Sequence, residues 1–165
     1  MSQTTILTSS LCVGLIFSMP ALGADFKYDN QFCFVAKTTD VIVHADGFKA
    51  GNFKTTGIRM GAEGDPFRAM EQHCVGNFTV IGGQQEDNVR CEAENAAGDK
   101  VFGVATRKFN PLMPEQSEGS FQIVHGTGKF AGISGEGRSK LVDVITKTPG
   151  EMSGCAHSWG TFTIK

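Results

Sequence analysis

The chain has 165 residues, a formal net charge of −2 and a pI of about 6.1. That length allows one domain plus a leader, and the near-neutral balance lacks the clustered Lys and Arg of a nucleic-acid-binding face, so no nucleic-acid partner is expected. Beyond the N-terminal stretch no apolar run reaches the roughly 18 residues of a membrane-spanning helix, and 21 glycines and 13 phenylalanines beside one Trp and one Tyr favour strands and turns over long helices.

Residues 1–24 read as a secretory signal peptide. Leu11 to Phe17 forms a short apolar core, Ser18, Met19 and Pro20 break it, and Ala21, Gly23 and Ala24 are the small residues a signal peptidase accepts. The leading MSQTT carries no Lys or Arg, which departs from the usual pattern. Cys12 follows Leu11, where a lipidation site needs a small residue, so no lipid anchor is expected. Cleavage after Gly23 or Ala24 leaves a single domain over 25–165, periplasmic or secreted. A domain of about 140 residues buries enough surface to fold without a metal.

Eight strand-like segments follow, near 31–45, 48–61, 71–81, 84–94, 99–108, 119–126, 136–147 and 154–165. Period-two alternation marks several of them; Phe121, Ile123 and His125, for example, alternate with Gln122, Val124 and Gly126. Turn residues separate them at Asp46-Gly47, Glu63 to Pro66, Gly82-Gly83, Ala97 to Asp99 and Pro149-Gly150. Residues 66–72 read as a short helical turn capped by Asp65, and 109–119 as the longest unpatterned loop. Short antiparallel strands at even spacing predict an all-β fold, and an even count favours a closed up-and-down barrel of eight strands. Such a barrel has a lumen wide enough for side chains or one small ligand.

The cysteines sharpen this picture. Cys33, Cys74, Cys91 and Cys155 remain after the leader, and four cysteines in an exported chain suggest two disulfides. Gly82-Gly83 suits a two-residue type I′ hairpin, in which facing positions sum to 165. Cys74 and Cys91 then face each other in a non-hydrogen-bonded pair, where the backbones approach closely enough for a cross-strand bond. Cys33 and Cys155 are left to pair, which fastens the first strand to the last and closes the barrel.

The same register places His73 opposite Glu92, Glu71 opposite Glu94 and Val75 opposite Arg90, on the face away from the cysteines. His73, Glu92 and Arg90 are thus candidates for a general base with an anion-holding cation. Asn77, Thr79, Glu86 and Asn88 share that face, and a face polar throughout reads equally as a solvated outer wall with ordinary cross-strand pairs. Arg59 and Arg107 are candidates for ligand binding. Each alternates with small or apolar residues (Phe53, Thr55 and Gly57; Val101, Gly103 and Ala105), so each can point into the lumen, or lie at a rim with a wet head. His44, His73, His125 and His157 show no metal-binding spacing, so neither a metal nor another cofactor is expected. No G-x-S-x-G elbow occurs, which argues against a serine hydrolase.

The string Gly126-Thr-Gly-Lys-Phe-Ala-Gly-Ile-Ser-Gly-Glu-Gly137 resembles one found between late strands of the allene oxide cyclase-like barrels, a grouping that includes the dirigent proteins and small secreted bacterial proteins. Cys91 to Phe102, with its Gly98-Asp99 turn, resembles the bacterial members. The resemblance covers about 25 residues and implies an eight-stranded barrel with a hydrophobic lumen and, often, a homo-oligomer; the catalytic residues of the plant enzymes have no counterparts assignable here. Read from its residues, the glycine string serves tight turns and close packing, since its spacing fits neither a dinucleotide fingerprint nor a P-loop. Three functions are compatible with such a barrel: binding a small apolar ligand in the lumen, an isomerase or cyclase that shapes a reactive substrate, and a packed barrel acting through its surface as an envelope interaction or inhibitor protein.

Overall fold

The computed structural model describes residues 24–44 and 46–165; the expected leader, Cys12 included, lies outside them apart from Ala24. Eight antiparallel strands close into a barrel in chain order: β1 (Ala24–Val43), β2 (Lys49–Gly61), β3 (Glu71–Ile81), β4 (Gln84–Glu94), β5 (Lys100–Phe109), β6 (Glu118–Gly126), β7 (Ile133–Thr148) and β8 (Glu151–Ile164). β1 pairs with both β2 and β8, so no edge is left open. Among the described residues no helix is long and apolar enough to cross a membrane.

Alternation builds the interior. On β1, Tyr28, Asn30, Phe32, Phe34 and Ala36 turn inward and are buried, while their neighbours face out. The β3–β4 hairpin turns on Gly82 and Gly83, both at positive φ, and pairs Ile81 with Gln84 and Cys74 with Cys91 as the turn chemistry predicts. Both expected disulfides are present, Cys33–Cys155 and Cys74–Cys91. They sit on opposite sides of the wall: Cys74 and Cys91 line the interior, whereas Cys33 and Cys155 lie on the outer parity of β1 and β8.

The structure corrects several boundaries. β1 begins at Ala24 rather than near 31, because 24–30 pair with the end of β8. β7 and β8 each begin three residues early. Residues 66–72 do not form a helical turn. Arg59 N–H donates to Met70 O and Ala69 N–H to Arg59 O, so the chain is already pairing with β2 by Ala69, and only a four-residue turn over 66–69 fits. Asp65 still caps it, its Oδ1 accepting from Phe67 N–H at 2.8 Å. The 109–119 loop contains one 3-10 turn, Pro114–Gln116, with its ends absorbed into β5 and β6. The alternation of β6 also breaks. A bulge between the Phe102–His125 and Gly103–Ile123 pairs leaves Ile123 inside but turns His125 outward, stacked on Phe102.

One end of the barrel is plugged. Phe67 and Met70 from the β2–β3 connection and Phe130 from the β6–β7 connection pack with Tyr28, Val101, Ile123, Ile133 and Phe162 into one buried cluster. Phe67 stacks on Phe130 and meets Tyr28 edge-on, which fixes the plug.

Candidate functional site

Above the plug the lumen is a cavity of about 420 Å³, within the usual range for small-molecule sites. Its middle is apolar, with Phe32, Phe34, Val89, Ala105, Phe121 and the Cys74–Cys91 bridge on the walls. Pro111 and Pro114 from the β5–β6 connection, Gly150 from the β7–β8 turn and Phe78 near the β3–β4 hairpin surround the opposite end.

A single row of register partners, polar at all but one position, runs around the inner wall. Asp87 pairs with Arg107, Arg107 with Gly119, Gly119 with Ser139, Ser139 with Ser158, and Ser158 with Asn30. These six residues lie on β4, β5, β6, β7, β8 and β1, so the row follows the hydrogen-bonding direction around the wall. Because strands tilt in a closed barrel, such a row climbs from one end to the other. Asp87, Ser139, Ser158 and Asn30 are all buried.

At the plugged end the row meets Arg59. The Arg59 guanidinium donates from Nε to Gln72 Oε1 and from Nη1 to Asn30 Oδ1 at 2.9 Å; Asn30 in turn donates to Asp65 Oδ2 at 3.1 Å. Gln72 Nε2 donates onward to Cys74 Sγ at 3.1 Å. Burial pulls the Arg59 pKa down, with Tyr28 and Asp65 opposing. Burial also pushes the Tyr28 hydroxyl well above its ordinary range, and that hydroxyl has no hydrogen-bond partner. It fits a notch where β7 and β8 carry Gly137 and Gly160, because a Cβ at either position would collide with it.

At the other end Arg107 reaches from β5 across β6 to Ser139, donating from Nη2 at 3.3 Å, and its Nε is buried without a partner. Gly119 makes that reach possible, since a Cβ there would stand 2.7 Å from Ser139 Oγ and 3.3 Å from Arg107 Nε. Asp87 accepts from Gln85 Nε2 at 2.7 Å. Burial raises the Asp87 pKa, with Gln85 and Arg107 opposing, and burial lowers that of Arg107, with Asp87 opposing. The lumen therefore offers a carboxyl held toward its neutral form, two guanidiniums, that of Arg107 with an unpartnered Nε, and hydroxyl and amide groups against an apolar wall.

The residues singled out in the sequence separate cleanly. Arg59 and Arg107 both line the cavity. His73 and Arg90 are exposed on the outer wall, and the expected His73–Glu92 pair does not form: His73 Nε2 lies 3.2 Å from Glu71 Oε1, while Glu92 pairs with Lys100 at 2.8 Å. His73 and Glu92 are register partners, but the Lys100 ammonium is the stronger partner for that carboxylate. His157 packs on Trp159 outside the barrel and pairs with Asp29 at 2.7 Å. Asp87 and Gln85 escaped the sequence reading, although period two from Cys91 places both on the lumen face. Gln72 carries the same signal from Cys74, two residues on; Tyr28 and Asn30, outside the segments read as strand, did not. Among the described residues no three His, Cys, Asp or Glu side chains cluster as a metal site.

Fold and cavity together define a closed, small eight-stranded barrel with an amphipathic lumen. No protein-family model and no curated protein sequence matches the chain. Among solved structures it is similar to the pterocarpan synthase dirigent protein, with 14% identity over 88% of this chain and 94% of that one and a TM-score of 0.51. At that identity the likeness shows the fold, a dirigent-like barrel, and the resemblance read from Gly126 to Gly137 holds at that level.

Proposed function

We propose that the protein is an exported barrel that holds a small, largely apolar molecule in its lumen. The cavity of about 420 Å³ carries this reading. A barrel that worked only through its surface would gain stability by filling that space with side chains, at about 24 cal/mol per Å³ of void. Phe32, Phe34, Val89 and Phe121 would contact the apolar body of the ligand, and Arg59 and Arg107 would hold oxygen atoms on it. The two disulfides and the signal-peptide-like residues 1–24 support a periplasmic or secreted location.

Titration with an environment-sensitive naphthalene dye tests the reading. Saturable one-site binding that is lost in Ala105→Trp, which fills the lumen from β5, is the expected result; equal binding by the variant places the dye on the surface and overturns it. A second reading, a catalyst that shapes a reactive substrate, is supported by the presence of Asp87, Arg107 and Arg59 in the lining of one cavity. It also agrees with the description of the dirigent protein above as a synthase.

A further inference from the structure

The two disulfides have the same cross-strand geometry but different neighbours. On the outer wall, Cys33 has Ile58 as its partner on β2, and Cys155 has Val142 on β7. Side chains therefore stand at both ends of that S–S axis. Facing the lumen, Cys74 has Thr55 beside it on β2, but the partner of Cys91 on β5 is Gly103. Cys74, Cys91 and Gly103 all line the cavity.

Thiol–disulfide exchange proceeds by attack of a thiolate on one sulfur while the other leaves. The attacking sulfur approaches along the S–S axis, from beyond the sulfur attacked. At Cys91 that approach runs over Gly103, where no side chain blocks it. At Cys74 the buried Thr55 does. The hydrogen bonds independently pick out the same leaving sulfur. Gln72 Nε2 donates to Cys74 Sγ, and Gln72 Oε1 accepts from Arg59, so a thiolate forming at Cys74 meets an N–H polarised by a guanidinium.

We propose that Cys74–Cys91 is a reactive site that captures a low-molecular-weight thiol in the lumen as a mixed disulfide on Cys91. The incoming thiol loses its proton to solvent. Its sulfur then bonds to Cys91 Sγ as the Cys91–Cys74 bond breaks, and the electron pair leaves on Cys74 Sγ. The incoming sulfur is oxidised and Cys74 is reduced. Return attack by the Cys74 thiolate on Cys91 Sγ expels the thiol and restores the disulfide, so capture is reversible. This goes beyond the apolar-ligand reading and needs only that a small thiol can enter the lumen.

The experiment exposes the native, oxidised protein to 2-mercaptoethanol, quenches with acid, alkylates free thiols with N-ethylmaleimide and maps the products by mass spectrometry. The first product is expected to carry mercaptoethanol on Cys91 and maleimide on Cys74, with Cys33–Cys155 intact, and to form about ten-fold faster than any adduct at the outer pair. Gly103→Val, whose side chain stands over Cys91, slows it by about ten-fold while the outer pair keeps its rate. Gln72→Met, which removes the N–H donor from the leaving Cys74 sulfur, slows the reaction at Cys91 while the outer pair keeps its rate. First reaction at Cys33–Cys155, adducts on Cys74 in the wild type, or no reaction at Cys74–Cys91 without denaturant each overturns the proposal. Because dye binding in the lumen does not depend on this chemistry, either reading can fail alone.

Discussion

Arg59 and Arg107 show how a cation is kept inside an apolar barrel. Each is surrounded mainly by neutral acceptors, with its carboxylate one step away: Asp65 behind Asn30, and Asp87 across the β4–β5 ladder. Arg59→Met leaves Asn30 Oδ1 and Gln72 Oε1 without a donor, and should cost about 2–3 kcal/mol in urea unfolding. Gly137→Ala drives a methyl into the Tyr28 hydroxyl notch and should cost about 1–3 kcal/mol. The pair Gly137→Ala with Tyr28→Phe should lose less than the sum of the singles, because the two share one contact. Asp87 sets a pH dependence. Its folded pKa is raised, so the fold favours the protonated carboxyl; that contribution is complete below the ordinary carboxylate range and is lost as pH rises through the raised value. Relative to Asp87→Asn, the wild type should therefore lose melting temperature as pH rises from about 3 to about 7. A parallel pH profile for the two proteins would contradict this.

The β3–β4 hairpin was the most legible element. Gly82-Gly83 fixes the turn, the turn fixes the register, and the register brings Cys74 to Cys91. Other elements were hidden for physical reasons. Residues 24–30 alternate Ala24, Phe26 and Tyr28 with Asp25, Lys27 and Asp29, but the segment is short and adjoins the expected leader, and the pairing that makes it strand comes from β8, more than 120 residues away. The bulge in β6 lies just before Gly126, which packs closely against Phe130, and local alternation does not report it. The disulfides should differ in what they contribute. Cys33–Cys155 has a sequence separation of 122 and Cys74–Cys91 of 17. On chain-entropy grounds, replacing the first pair with alanine should cost about 5 kcal/mol and the second about 3. Comparison of the two double-alanine variants by urea unfolding checks the order.

At the scale of the whole molecule, the eight-stranded closure was legible from strand count, spacing and the pairing of Cys33 with Cys155. The amphipathic lumen was not. Asp87, Arg107, Ser139, Ser158 and Asn30 come from five strands and form a row only once six strands are in register, so no local pattern marks the row. Arg59 and Arg107 were visible singly, as charges in otherwise small or apolar alternation, but not as two ends of one polar track. The outer candidates His73, Arg90 and Glu92 stood out because they are charged, and charge on a barrel wall more often marks the solvent side. The central claim is that this lumen holds a small molecule. Native mass spectrometry of the protein, purified without denaturation from its own host, tests it most directly. The expected result is a population heavier than the two-disulfide polypeptide by one small organic molecule, lost on denaturation and absent in Ala105→Trp. A bare polypeptide mass, together with no dye binding in the lumen, would contradict it.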